Sequence, residues 1–108
     1  MNRDPLPLRR RSETFEVDFG GLRSKNTISI GYYADGRIGE VFINSGKSGE
    51  TTEAIARDSA IILSMALQHG VPIETIGHAI TRDGQNMPMT IVGVIVDLLT
   101  RTSSAEAA

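Results

Sequence analysis

The hydrophobic period of this chain switches once, near residue 45, from two to about 3.6, and few folds remain open to a chain with such a switch. Before the switch, Phe15, Val17 and Phe19 alternate with Glu16 and Asp18, and Ile28, Ile30 and Tyr32 alternate with Ser29, Gly31 and Tyr33. A period of two marks strands buried on one face. Gly20-Gly21 ends the first strand. Ala34-Asp35-Gly36 signals a hairpin, because Asp-Gly accepts positive φ at little cost. A third strand runs from Arg37 to Asn44.

After the switch, Glu50 to His69 contains neither Pro nor Gly. This stretch carries Ile55, Ile62, Met65 and Ala66 at helical spacing, and Gly70 supplies the stop. From Ala60 to Leu67 it is apolar on nearly every side except Ser64, which predicts burial on more than one face. Pro72 opens a second helix reaching Thr81, with Glu74 in its first turn. Thr90 to Leu99 is β-branched enough for a strand, but Pro88 before it and Asp97-Leu98-Leu99-Thr100-Arg101 after it favour a helix. The order β-β-β-α-α-α predicts an α+β fold: a three-stranded antiparallel meander followed by three helices packed on one face.

With 108 residues, one small domain is expected over 13–101, preceded by a flexible Pro/Arg-rich arm (1–12) and followed by a disordered tail (102–108). The absence of cysteine excludes disulfides, thiolate nucleophiles and zinc-thiolate sites. Two histidines are too few for an all-His metal site, and neither metal nor cofactor is expected. A net charge of −2 gives no general attraction to nucleic acid or anionic membrane. No apolar run approaches the roughly 20 residues that span a bilayer, and the N-terminus lacks a signal core, so the expected location is the cytoplasm.

Four groups of residues invite a chemical reading. Gly39 to Gly49 has the layout of a strand, a glycine turn and a helix start, with Ser45, Gly46, Lys47, Ser48 and Gly49 in the turn. Backbone amides there can hold an anion beside Lys47, or the glycines can simply permit a tight connection. Val41 stands where a P-loop needs glycine, which excludes a Walker-type site. Arg9, Arg10 and Arg11 form a local cation cluster suited to nucleic acid or an acidic partner, or to a solvated arm. Glu40 shares a strand face with Ile38 and Phe42, either solvated or buried and paired with Arg37 or Arg23. His69 precedes the helix stop, as a C-terminal cap would, and His78 lies four residues from Glu74.

Gly36-Arg37-Ile38-Gly39-Glu40-Val41-Phe42-Ile43, followed by Gly46-Lys47-Ser48-Gly49 and Gln68-His69-Gly70-Val71-Pro72-Ile73-Glu74, resembles the signature of the TSCPD domain. That domain ends cobalamin-dependent (class II) ribonucleotide reductases and also occurs in short stand-alone proteins. Pro7 to Arg11 resembles the linker that often precedes it, and the resemblance extends over about 9–101. The family is named for a Thr-Ser-Cys-Pro-Asp string opening the last helix. The matching place here is Thr90-Ile91-Val92-Gly93, without Cys, Pro or Asp.

The resemblance implies a non-catalytic accessory or binding domain linked to deoxynucleotide synthesis. Its ligand or protein partner would meet the 45–49 turn, aided by Glu40. Two alternatives stand beside it: a nucleic-acid-associated protein using Arg9, Arg10 and Arg11, and a small enzyme using Glu40 and His78. The apolar helices predict a homodimer or larger homo-oligomer.

Overall fold

The computed structural model describes residues 2–19, 25–45 and 51–107. The order of elements is β1 (Ser12–Asp18), β2 (Lys25–Tyr32), β3 (Ile38–Ser45), α1 (Thr51–Gln68), α2 (Ile73–Ala79) and α3 (Ile91–Ala107). The fold is α+β, with an antiparallel sheet in the order β1-β2-β3. The chain forms two compact units, Met1–Gly70 and Val71–Ala108.

In the first unit the strand period sorts side chains to two faces. Ile28, Ile30, Val41 and Ile43 are buried, and the register pairs Ile28 with Ile43 and Ile30 with Val41. Each such aliphatic side chain contributes about 1.5–3 kcal/mol by leaving water. β2 and β3 are joined through a tight turn in which Tyr33 N–H donates to Arg37 O and Gly36 N–H donates to Tyr33 O. Gly36 takes φ +92°, the left-handed conformation this hairpin requires.

Helix α1 packs against β3, but not with the face its large residues mark. Its buried stripe is Glu53, Ala56, Ala60, Leu63, Ser64, Leu67 and Gln68. Ile55 and Ile62 are 60% and 68% exposed, and Met65 also faces outward, contrary to the expectation from helical spacing. Ser64 Oγ reaches the backbone of Val41, and that close approach turns the stripe of Ala56, Ala60, Leu63 and Leu67 inward rather than the one carrying Ile55 and Ile62.

His69 ends α1 much as expected, its ring Nδ1 donating to Met65 O (2.8 Å), with Gly70 at φ +90° beyond it.

The second unit pairs α2 with α3. α2 is shorter than the Pro72–Thr81 expectation, because Ile80 already takes extended angles. The stretch from Thr90 resolves as helix. Thr90 caps α3, its Oγ1 accepting from Gly93 N–H (3.0 Å), at the place corresponding to the resembled motif. α3 then runs beyond Arg101 to Ala107, through the stretch expected to be a tail, since Thr102–Ala107 contains no helix breaker.

Arg82 clamps this unit with a two-pronged ion pair to Asp97 (2.9 and 2.8 Å) and a further bond to Gly77 O (2.8 Å). Hydrogen bonding from Arg82 holds the Asp97 carboxyl below its ordinary value of 3.8. A folded value below the unfolded one means that the stabilisation is present above about pH 4 and is lost as pH falls through the folded value. Denaturant titrations from pH 7 to pH 2.5 should therefore show an acid-side loss of stability that is smaller in Asp97→Asn. An identical acid limb in both proteins would remove this assignment.

Candidate functional site

The region with the most organised polar chemistry lies around the outer edge of β3. As an edge strand, β3 presents backbone groups that β2 does not pair, and such an edge invites association unless it is covered. Here α1 side chains cover it. Ser64 Oγ accepts from Val41 N–H (2.8 Å) and lies 3.1 Å from Val41 O and 2.8 Å from Ala60 O. Gln68 Nε2 donates to Gly39 O (2.8 Å).

The N-terminal arm completes the cover. Arg3 Nε donates to Gln68 Oε1, and Asp4 N–H donates to Gln68 O (2.8 Å). Asp4 also accepts at its backbone oxygen from the Tyr33 hydroxyl, and its carboxylate meets Arg37 (3.0 Å). Burial, and next the negative charge of Asp4, push the Tyr33 hydroxyl pKa up. Leu6 lies where a side chain on Gly39 would project, so Gly39 leaves the arm its seat. The arm was expected to be flexible. In the structure Arg3, Asp4, Leu6 and Arg10 bind it to unit residues far along the chain.

Glu40 is buried, with its side chain 8% exposed, and is paired. The partner the structure shows is Arg10, not Arg37. Arg10 Nε meets Glu40 Oε2 at 2.6 Å and Nη2 meets Oε1 at 3.1 Å, while Nη1 donates to Pro7 O (2.7 Å). This fork-to-fork arrangement is the strong form of a carboxylate pair, and it raises the Arg10 pKa. Arg37 instead binds Asp35 and Asp4, and Arg23 lies outside the described residues. The carboxylate occupies space that only glycine at position 31 leaves open: a Cβ there would lie 2.5 Å from Glu40 Cγ.

The other expected site residues fall differently. Gly46, Lys47, Ser48 and Gly49 lie outside the described residues, and Ser45 is placed only as the last residue of β3. Arg9 is exposed, and Arg11 lies over the Tyr32 ring at 4.1 Å. His78 is exposed on α2 in the second unit, with Glu74 also exposed one turn earlier. Among the described residues, no three His, Asp or Glu side chains gather as metal ligands, and no helix is long and apolar enough to cross a membrane.

Two open grooves meet at Glu40, Arg10 and Phe42. One, of about 640 Å³, runs between the arm and α1 and is floored by Val41 and Phe42. The other, of about 390 Å³, lies beside Leu8, Arg9 and Ser29. Sequence reading singled out Glu40 and the arginines but missed Ser64 and Gln68 as guardians of the strand edge. The signal was available at Ser64, the polar exception in an apolar helical run.

Comparison with known proteins adds a family. The model of the TSCPD domain matches residues 3–103. The chain is similar to the vitamin B12-dependent ribonucleotide reductase of Agrobacterium fabrum, 40% identical over 79 residues, covering 73% of this chain and 6% of that protein. It is also similar to the same enzyme of Rhodopirellula baltica, 39% identical over 74 residues (68% of this chain, 7% of that protein). A third relative, from Streptantibioticus cattleyicolor, is 36% identical over 73 residues, covering 68% of this chain and 12% of that protein. The chain thus spans a small fraction of the length of these curated relatives. No solved structure matches it.

Proposed function

This chain belongs to the TSCPD domain family, and from that premise we propose that it is a non-catalytic accessory module of ribonucleotide reduction, acting by binding a partner. The observation that carries the reading is the similarity to a short segment of vitamin B12-dependent ribonucleotide reductases. The geometry around β3 agrees with it. Glu40, the buried carboxylate of the candidate site, is committed to Arg10 through both oxygens. Acid–base work needs a carboxylate that can exchange its proton near the reacting atoms. Arg10 and Arg11 likewise spend their guanidinium groups on Glu40 and Tyr32, which weakens the case for the arm as a nucleic-acid contact.

The reading assigns the partner's main contact, or that of a phosphate-bearing ligand, to the turn at 45–49, where Lys47 would supply the charge. It extends to self-association: Ile55, Ile61 and Ile62 are large apolar residues exposed on α1, and a homo-oligomer would cover them. Deoxynucleotide supply would place the protein in the cytoplasm, where a chain without cysteines loses nothing by the absence of disulfides.

The test is direct titration of the purified chain against the vitamin B12-dependent reductase of its own host. Saturable binding in the micromolar range, weakened severalfold by Lys47→Glu, is the expected result. Absence of binding at about 100 μM would overturn the partner role.

A further inference from the structure

At the outer edge of β3 an exposed aromatic side chain lines both grooves, and the smaller groove lies on the side with Leu8, Arg9 and Ser29. Phe42 is 56% exposed on β3, and Leu8, at the edge of the same groove, is 99% exposed. Apolar groups this open, side by side, cost solvation unless a ligand covers them. Phe42 stands opposite Ser29 in the register, and Ser29, whose Oγ lies 3.3 Å from Thr14 Oγ1, lines the groove together with Ser12. On the arm side, exposed Arg9 lines the groove. Glu40, which would repel an anion there, is neutralised by Arg10.

An open sheet with a ring for stacking, hydroxyls beside it and a cation at one end suits a planar base carrying phosphate. The groove volume of about 390 Å³ falls within the range of small-molecule sites. The same face argues against a longer strand of nucleic acid. Beyond the Thr14–Ser29–Phe42 row lies Glu16, and then Asp18 opposite Lys25, so no run of cations continues for a phosphate backbone.

We propose that the groove between Leu8 and Phe42 binds a single nucleoside phosphate, its base stacked on Phe42 and its phosphate at Arg9. The site is built from residues other than those of the 45–49 turn and does not rest on the accessory reading.

Calorimetric titration of the full chain with AMP and with CMP tests it, with adenosine and inorganic phosphate as separate probes. Saturable binding of both nucleotides is expected, because stacking tolerates any base. Phe42→Ala should weaken it about tenfold and Phe42→Trp should retain it. Arg9→Gln should weaken AMP severalfold while leaving adenosine unchanged. Lys47→Ala should have no effect. Phe42 and Arg9 are exposed, so these variants keep the fold, as circular dichroism and thermal melting would verify. Three results would overturn the proposal: no saturable binding of either nucleotide at millimolar concentration, loss with Lys47→Ala but not with Phe42→Ala, or an oligothymidylate that binds far more tightly than AMP.

Discussion

Ser64→Ala is expected to destabilise the protein by about 2 kcal/mol, far more than the loss of one hydroxyl from a helix surface. The hydroxyl meets Val41 N–H, Val41 O and Ala60 O. Without it, the Val41 amide is a buried donor that has lost its partner, and such a donor carries a penalty of about 1–3 kcal/mol. Ser59 is the control. Its hydroxyl donates only to Ile55 O of its own helix, at the surface, so Ser59→Ala should stay within about 0.5 kcal/mol of the parent. Urea denaturation of both variants measures the contrast. Equal midpoints would show that α1 does not protect the strand edge through Ser64.

Gly31→Ala should cost about 2 kcal/mol, within the range for forcing atoms into a filled site. The added methyl would lie 2.5 Å from Glu40 Cγ and 2.7 Å from its carboxyl carbon, while Arg10 holds that carboxylate from the other side. The conflict is specific to one side chain, which makes it testable by a double-mutant cycle. In a Glu40→Ala background the clash is gone, and Gly31→Ala should then cost at least about 1 kcal/mol less than in the parent. Additive effects in the cycle would mean that Gly31 does not serve the Glu40 site.

These two predictions also mark where sequence reasoning reaches its limit. The sheet was legible because Phe15 and Val17 alternate with Glu16 and Asp18, and Ile28, Ile30 and Tyr32 with Ser29, Gly31 and Tyr33, and alternation is a local property. The hairpin at Asp35-Gly36 was legible for the same reason. The packing face of α1 was not. Size and apolarity pointed to Ile55, Ile62 and Met65, but close approach to β3 selects the stripe of Ala56, Ala60, Leu63 and Leu67, and only the hydrogen bond from Ser64 reveals how close that approach is.

The candidate site was half legible. Glu40 stood out as a carboxylate among apolar strand residues, and burial with pairing was one of its two readings. Its partner was out of reach because Arg10 lies thirty positions away, on an arm whose prolines and charges read as solvated. Nothing in the spacing of a sequence reports that Leu6 seats on Gly39 or that Gly31 makes room for a carboxylate.

The most direct measurement of the accessory role uses a reductase deprived of its own copy of this domain. The segment of the Agrobacterium fabrum vitamin B12-dependent ribonucleotide reductase that matches this chain would be removed, and the purified chain added in trans while ribonucleotide turnover is followed. The accessory role predicts a saturable change in turnover as the chain is added, and no turnover by the chain alone. Turnover indifferent to the chain at every concentration, or ribonucleotide reduction by the chain without the enzyme, would contradict it.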